Sequence, residues 1–103
     1  MKINNTEFDF KISKISDAQK LEKALKFLEK EEKDINASKS GLFETLSAVR
    51  EMFVEFFKIA TGCDVIGDCE DIEEIKGFYY KFLEEVKEQK DKHLSAYSVD
   101  RIR

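Results

Sequence analysis

The stretch 42–60 constrains this chain most, because its apolar residues cover well over half of a helical surface. At roughly 100° per residue, one apolar stripe runs along the whole stretch, with further apolar residues on both flanks. The stripe consists of Leu42, Leu46, Val49, Phe53, Phe56 and Ala60, and the flanks of Phe43, Phe57, Met52 and Ile59. Such a helix needs more than one neighbour, so it is either the centre of its own domain or a docking face for a partner.

Size and composition predict one mainly α domain that spans residues 1–103. A chain of 103 residues hides about two thirds of its unfolded surface on folding, which is enough for one modest core. The absence of Pro, the four Gly and a charged fraction of 39% favour long helices over a turn-rich β fold. We therefore predict a mainly α fold: a three-helix domain with a short N-terminal β-hairpin or strand element.

The predicted β element covers residues 1–13. Phe8, Phe10 and Ile12 alternate with charged residues, which is typical of a strand with one solvent-exposed face. Asn4 and Asn5 can supply the positive φ of a tight turn, so that residues 2–3 pair back as a hairpin. Two strands alone are marginal in water, so the apolar face must lie on a helix or pair with another chain.

Capping signals place the helices at 16–34, 41–61 and 71–94, followed by a tail at 95–103. Ser16 with Gln19 resembles a capping box, and Ser40 or Ser38 is the candidate cap of the second helix. Gly62 suits the left-handed residue that commonly ends a helix.

Charge and hydropathy exclude several function classes. A net charge of −4 and a pI near 5.1 argue against a nucleic-acid partner, because phosphate affinity depends on clustered Lys and Arg. No apolar run approaches the ~20 residues of a membrane span, and residues 1–10 do not resemble a signal peptide. We expect a cytoplasmic protein with no membrane partner, in which Cys63 and Cys69 are reduced.

The residues that could carry chemistry do not form a recognisable catalytic or metal-binding motif. His93, the only histidine, has no nucleophile or orienting acid near it in the sequence. Cys63 and Cys69 are six positions apart, whereas structural zinc sites usually show closer cysteine pairs and four ligands. We expect a protein that is not an enzyme and that has no cofactor and no metal site.

Three segments resemble the small tail assembly chaperones of long-tailed (siphovirus-like) bacteriophages and prophages. They are GLFETLSAVREMFVEFF (41–57), GCDVIGDC (62–69) and IKGFYYKFLEEVKEQK (75–90). In that family a helix holding Phe-Phe precedes a loop around Ile-Gly or Phe-Gly, and an acidic helix ending near Glu-Gln follows. The resemblance covers about half of the chain. The two cysteines and the tail from His93 have no counterpart in the family pattern.

The resemblance implies a non-enzymatic chaperone that binds the tape-measure protein during tail assembly and helps to recruit the major tail protein. An amphipathic helix of a client can bury its apolar stripe in a groove of such a protein. Eight residues of the second predicted helix form the pool from which the core and the partner-binding face are drawn: Leu42, Phe43, Leu46, Val49, Met52, Phe53, Phe56 and Phe57. The alternative is a small helical interaction or regulatory protein that self-associates and buries its excess apolar surface in a homo-oligomer.

Overall fold

The computed structural model describes residues 1–94, which form a mainly α fold with three helices and an N-terminal β-hairpin. This confirms the predicted fold class. The predicted tail, 95–103, lies outside the described residues. The elements in chain order are β1 (Lys2–Ile3), β2 (Thr6–Glu7), α1 (Ile15–Ala37), α2 (Leu42–Thr61) and α3 (Ile72–Leu94).

The N-terminal hairpin forms at the predicted asparagine pair. Asn4 and Asn5 adopt φ values of 51° and 60°, the left-handed region that a tight hairpin turn requires. The strands are antiparallel, and Ile3 pairs with Thr6. The Asn4 side chain also donates to the carbonyl oxygen of Val65 at 2.8 Å, which ties the turn to the segment that follows α2.

The alternating residues after the hairpin are not a β-strand, contrary to the prediction of a strand up to residue 13. Residues 8–11 are irregular, and the side-chain amide of Gln89 on α3 takes the place of a neighbouring strand. The Gln89 amide donates to the Phe10 carbonyl at 3.0 Å and accepts from the Ile12 backbone N–H at 2.9 Å. The expectation that this apolar face lies on a helix is met, because Phe8 and Phe10 both pack against Phe82 of α3.

Helix α1 begins one residue before the predicted start and ends three residues after the predicted end. Its N-cap is Lys14, without a side-chain cap, so the proposed capping role of Ser16 is wrong. Asp17, in the first turn, is buried and instead accepts a hydrogen bond from the Lys11 backbone N–H at 3.0 Å. The helix continues to Ala37 because Ile35 still packs against the core beyond the charged run.

Helix α2 begins at Leu42 with Gly41 as its N-cap, so neither Ser40 nor Ser38 caps it. Those two hydroxyls bond to each other instead. The helix ends as predicted, since Gly62 has φ 77° and donates its N–H to the Lys58 carbonyl. α1 and α2 are joined by residues 38–41 and form the most extensive helix pair among the described residues.

Segment 62–71 runs back along α2 before α3 begins. The Arg50 guanidinium donates to the carbonyl oxygens of Gly67 at 2.7 Å and Cys69 at 2.8 Å. Val65 and Ile66 insert into the core, and Asp71 caps the first turn of α3 by accepting from the Glu73 N–H at 2.9 Å. This return path places the start of α3 beside the middle of α2.

The centre of the core is a cluster of aromatic rings contributed by α2, α3 and the N-terminal segment. Phe56 is fully enclosed and lies 5.1 Å from Tyr79, 5.3 Å from Phe57 and 5.9 Å from Phe82, measured between ring centroids. Their edge-on geometry is the arrangement that aromatic quadrupoles favour. Phe8 and Phe10 complete the cluster from the N-terminal side.

Candidate protein-binding surface

Helix α2 is divided into two halves that share one apolar stripe. In the C-terminal half, the structure encloses four of the eight candidate residues, each of which is at most 5% exposed: Met52, Phe53, Phe56 and Phe57. These side chains fill the core of the chain itself. Phe56 and Phe57 are therefore closed to a partner unless the core opens, whereas Met52 and Phe53 also line a surface groove.

The N-terminal half of α2 carries three large apolar side chains that the rest of the described chain leaves exposed or covers only in part. Leu42 is 77% exposed, Phe43 is 79% exposed and Leu46 is 43% exposed. None of the three belongs to the buried core cluster, whereas Val49, one turn further along, is partly buried and packs against that cluster. We refer to Leu42, Phe43 and Leu46 as the exposed tip.

The exposed tip exists because the covering elements stop short of it. The hydrogen bonds from Arg50 hold segment 62–71 beside the middle of α2, where Arg50 itself lies. α3 begins directly after that segment. Tyr79 of α3 then packs on Phe53, with 5.2 Å between ring centroids. The helical hairpin of α1 and α2 therefore extends beyond α3, and among the described residues the first two turns of α2 lack the cover that Tyr79 of α3 gives to Phe53.

A groove of about 230 Å³ lies where the exposed tip meets the core. We refer to it as the aromatic groove, and all three helices line it: Glu32, Ile35 and Asn36 from α1, Val49, Met52 and Phe53 from α2, and Lys76, Tyr79 and Tyr80 from α3. Its volume is below the ~300–1,000 Å³ of ordinary small-molecule sites, so it suits the side chains of a docked segment better than a cofactor.

The aromatic groove has a polar rim of mixed charge. Burial, then the Glu32 carboxylate and then the neighbouring Tyr80, raise the pKa of the Tyr79 hydroxyl above its ordinary value. Tyr79 is therefore a neutral hydroxyl at physiological pH. Tyr80 is 61% exposed and lies 5.6 Å from Tyr79 between ring centroids, so it extends the apolar wall into solvent.

Cys63, Cys69 and His93 are the residues considered for chemistry, and all three lie within the described part of the chain. Within residues 1–94, no group of three or more His, Cys, Asp or Glu side chains is arranged to hold a metal ion. Both thiols are free, and burial is the largest cause that raises the pKa of the Cys69 thiol. A thiol with a raised pKa is a poor nucleophile at neutral pH, since the thiolate is the reactive form. His93 is exposed on the last turns of α3.

The structure thus divides the candidate pool and adds residues to it. Four members belong to the core, three form the exposed tip, and Val49 lies between them at the edge of the aromatic groove. Tyr79 and Tyr80 of α3 are among the added residues, and both line the groove. Glu32 and Ile35 were missed, because their place beside α3 depends on how the hairpin packs.

Comparisons with known proteins do not identify the chain: no protein family, no curated protein and no solved structure matches it. Within the described part of the chain, helices capable of crossing a membrane are absent.

Proposed function

We propose that this protein is a non-enzymatic tail assembly chaperone of a long-tailed bacteriophage or prophage, and that it binds the tape-measure protein through the exposed tip and the aromatic groove. The observation that carries the proposal is the exposure of Leu42, Phe43 and Leu46 at one end of a helix whose other end is buried in the core. Contiguous exposed apolar side chains on a small domain are typical of a protein-binding surface.

The shape of this surface favours a helical client. The exposed tip and the aromatic groove follow one another along α2, with Val49 between them. An amphipathic helix laid along that line buries residues at i, i+3, i+4 and i+7, which is the helix-in-groove mode of recognition. A tape-measure protein is long and largely helical with apolar stripes, and it offers many such segments.

The charge of the chain suits a holding role rather than a tight complex. The net charge of −4 disfavours non-specific association between copies and with other acidic proteins. Once a client helix is held in extended form, recruitment of the major tail protein follows in the proposed function. Binding must be reversible, and the small area of the exposed tip is consistent with that requirement.

Co-expression with the tape-measure protein of the same phage tests this proposal. The tip variant carries Leu42→Ser, Phe43→Ser and Leu46→Ser, and the matched control is Ile15→Ser, an apolar residue on α1 that is 78% exposed. We expect the wild-type chain and the control to co-purify with the client and to raise its soluble amount, and the tip variant to do neither.

Because the substituted residues lie outside the core, all three chains should give the same helical circular dichroism. The proposal is abandoned if the wild-type chain forms no complex with the client, or if the tip variant binds as well as the wild-type chain does.

A further inference from the structure

The exposed tip and the aromatic groove lie on the same line of α2, which makes the surface complementary to itself. At 100° per residue, Leu42, Leu46, Val49 and Phe53 fall within about 40° of a common direction. The first two are exposed, Val49 is half-buried, and Phe53 forms part of the groove. The apolar stripe therefore passes from projecting side chains at one end to a recess at the other.

An antiparallel second copy matches this stripe residue by residue. Placing Leu42 of one copy at the level of Phe53 of the other puts Leu46 at the level of Val49, and the same two pairs recur on the other side of a two-fold axis. Each exposed tip then meets the aromatic groove of its partner, which is the reciprocal arrangement that a two-fold interface requires. The matched stretch is about 17 Å long, or three helical turns.

Charges on α2 do not oppose this pairing. Glu44 and Glu51, the acidic residues between Leu42 and Phe53, lie about 160–180° from the stripe and face away from it. Arg50 lies on the flank, and its guanidinium is already held by the carbonyl oxygens of Gly67 and Cys69. Like charges therefore do not meet along the paired helices.

The area available predicts a weak dimer. Aromatic side chains bury about 150–250 Å² each when fully enclosed and Leu side chains somewhat less, so the exposed parts of Leu42, Phe43, Leu46 and Tyr80 supply at most roughly 500 Å² per copy. Two copies bury at most roughly 1,000 Å² in total, which is at the lower limit for a specific interface. We expect a dimer that forms and dissociates readily rather than a permanent one.

We propose that a second copy of this chain docks antiparallel on α2, so that the exposed tip of each copy fills the aromatic groove of the other. The dimer covers the apolar surface when no other partner is present. On the proposed function, the client helix competes for the same stripe, and client binding separates the two copies.

Sedimentation of the isolated chain tests the dimer without any client, so the outcome is independent of the proposed function. We expect a monomer–dimer equilibrium with a dissociation constant between about 10 µM and 1 mM. Leu46→Glu should weaken it at least about tenfold, because each dimer contains the substitution twice. Ile15→Glu, which places the same charge on a distant exposed apolar residue, should leave the equilibrium unchanged.

Cross-linking then tests the orientation of the two copies. In a Cys63→Ser, Cys69→Ser background, a mixture of Leu46→Cys and Val49→Cys chains should form disulfide-linked heterodimers faster than either chain alone forms homodimers. Ser47→Cys, exposed but off the stripe, is the control and should cross-link slowly. The proposal is overturned by a monomer at all concentrations up to about 1 mM, by an unchanged equilibrium in Leu46→Glu, or by homodimers that form faster than the mixed pair.

Discussion

The two halves of α2 have similar apolar patterns, but the apolar side chains of one half are buried and those of the other are exposed. The core-facing side chains of residues 52–60 are enclosed by the rest of the described chain, while Leu42, Phe43 and Leu46 remain exposed on the hairpin of α1 and α2. The difference arises from where the covering elements end, since Arg50 fixes the point at which segment 62–71 turns into α3. An apolar stripe along a helix thus specifies what can be buried, and the lengths of the neighbouring elements decide what is buried.

Replacing one phenylalanine by alanine in each half of α2 gives the largest expected difference in the free energy of unfolding. Phe56→Ala removes a fully enclosed ring that touches three other rings and should lower the free energy of unfolding by about 3–5 kcal/mol. Phe43→Ala removes a ring that is 79% exposed and should change it by less than about 0.5 kcal/mol. Urea denaturation of both variants checks this, and similar losses would show that the two halves are not different.

The N-terminal segment, which covers the C-terminal half of α2, is held by Gln89. The Gln89 side chain makes hydrogen bonds to the backbone of both Phe10 and Ile12. Gln89→Ala leaves a backbone carbonyl and a backbone N–H without their partner and should cost about 1–3 kcal/mol. Gln19→Ala, at an exposed position on α1, should be close to neutral. The measurement is again urea denaturation, and equal effects of the two substitutions would mean that the Gln89 amide does not hold the N-terminal segment.

Arg50 marks the boundary between the two halves. Arg50→Lys replaces the planar guanidinium by a single ammonium, which cannot donate to the two carbonyl oxygens in the same geometry. The substitution should lower the free energy of unfolding by about 1–2 kcal/mol. Glu51→Gln removes only the exposed ion pair of Arg50 and should cost less than about 0.5 kcal/mol. Faster amide exchange in residues 62–71 of Arg50→Lys, but not of Glu51→Gln, is the expected signature. Unchanged exchange in both would remove Arg50 from this role.

The smallest expected effect is the pH dependence of folding stability that arises from Tyr79 in the aromatic groove. Because the pKa of Tyr79 is raised in the folded chain, the unfolded chain loses this proton first, and stability is lost as pH rises through and above about 10. Tyr79→Phe keeps the ring and should flatten the decline in urea midpoint between about pH 9 and 11. Glu32→Gln should flatten it in part, since the Glu32 charge is the second cause of the shift. An identical decline in all three chains would contradict the described environment of Tyr79.

The elements could be predicted from the sequence because their signals are local. The Asn4-Asn5 turn, the left-handed Gly62 and the three apolar stripes each lie within a few residues of the structure they specify. Ser16 and Ser40 were misassigned as caps because a hydroxyl beside a helix start is a common signal, and here Lys14 and Gly41 take the cap positions without a side-chain bond.

The division of the candidate surface could not be predicted, because it depends on contacts between distant residues. Arg50 bonds residues 17 and 19 positions away, and Gln89 bonds residues 77 and 79 positions away. Periodicity places Leu46 and Phe53 on the same stripe and gives no sign that only one of them is enclosed. A polar residue inside a mostly apolar stripe, such as Gln89, was the available signal for a contact of this kind.

Amide hydrogen exchange along α2, in the free chain and in the presence of the tape-measure protein, tests the central claim most directly. In the free chain, the amides of residues 46–49 should exchange faster than those of residues 53–60. On addition of the proposed client, protection should rise at residues 46–49 and stay unchanged at residues 53–60, where Phe53, Phe56, Phe57 and Ala60 are already buried. A complex that forms while residues 46–49 keep their free exchange rates would contradict the claim that the open half of α2 is the binding surface.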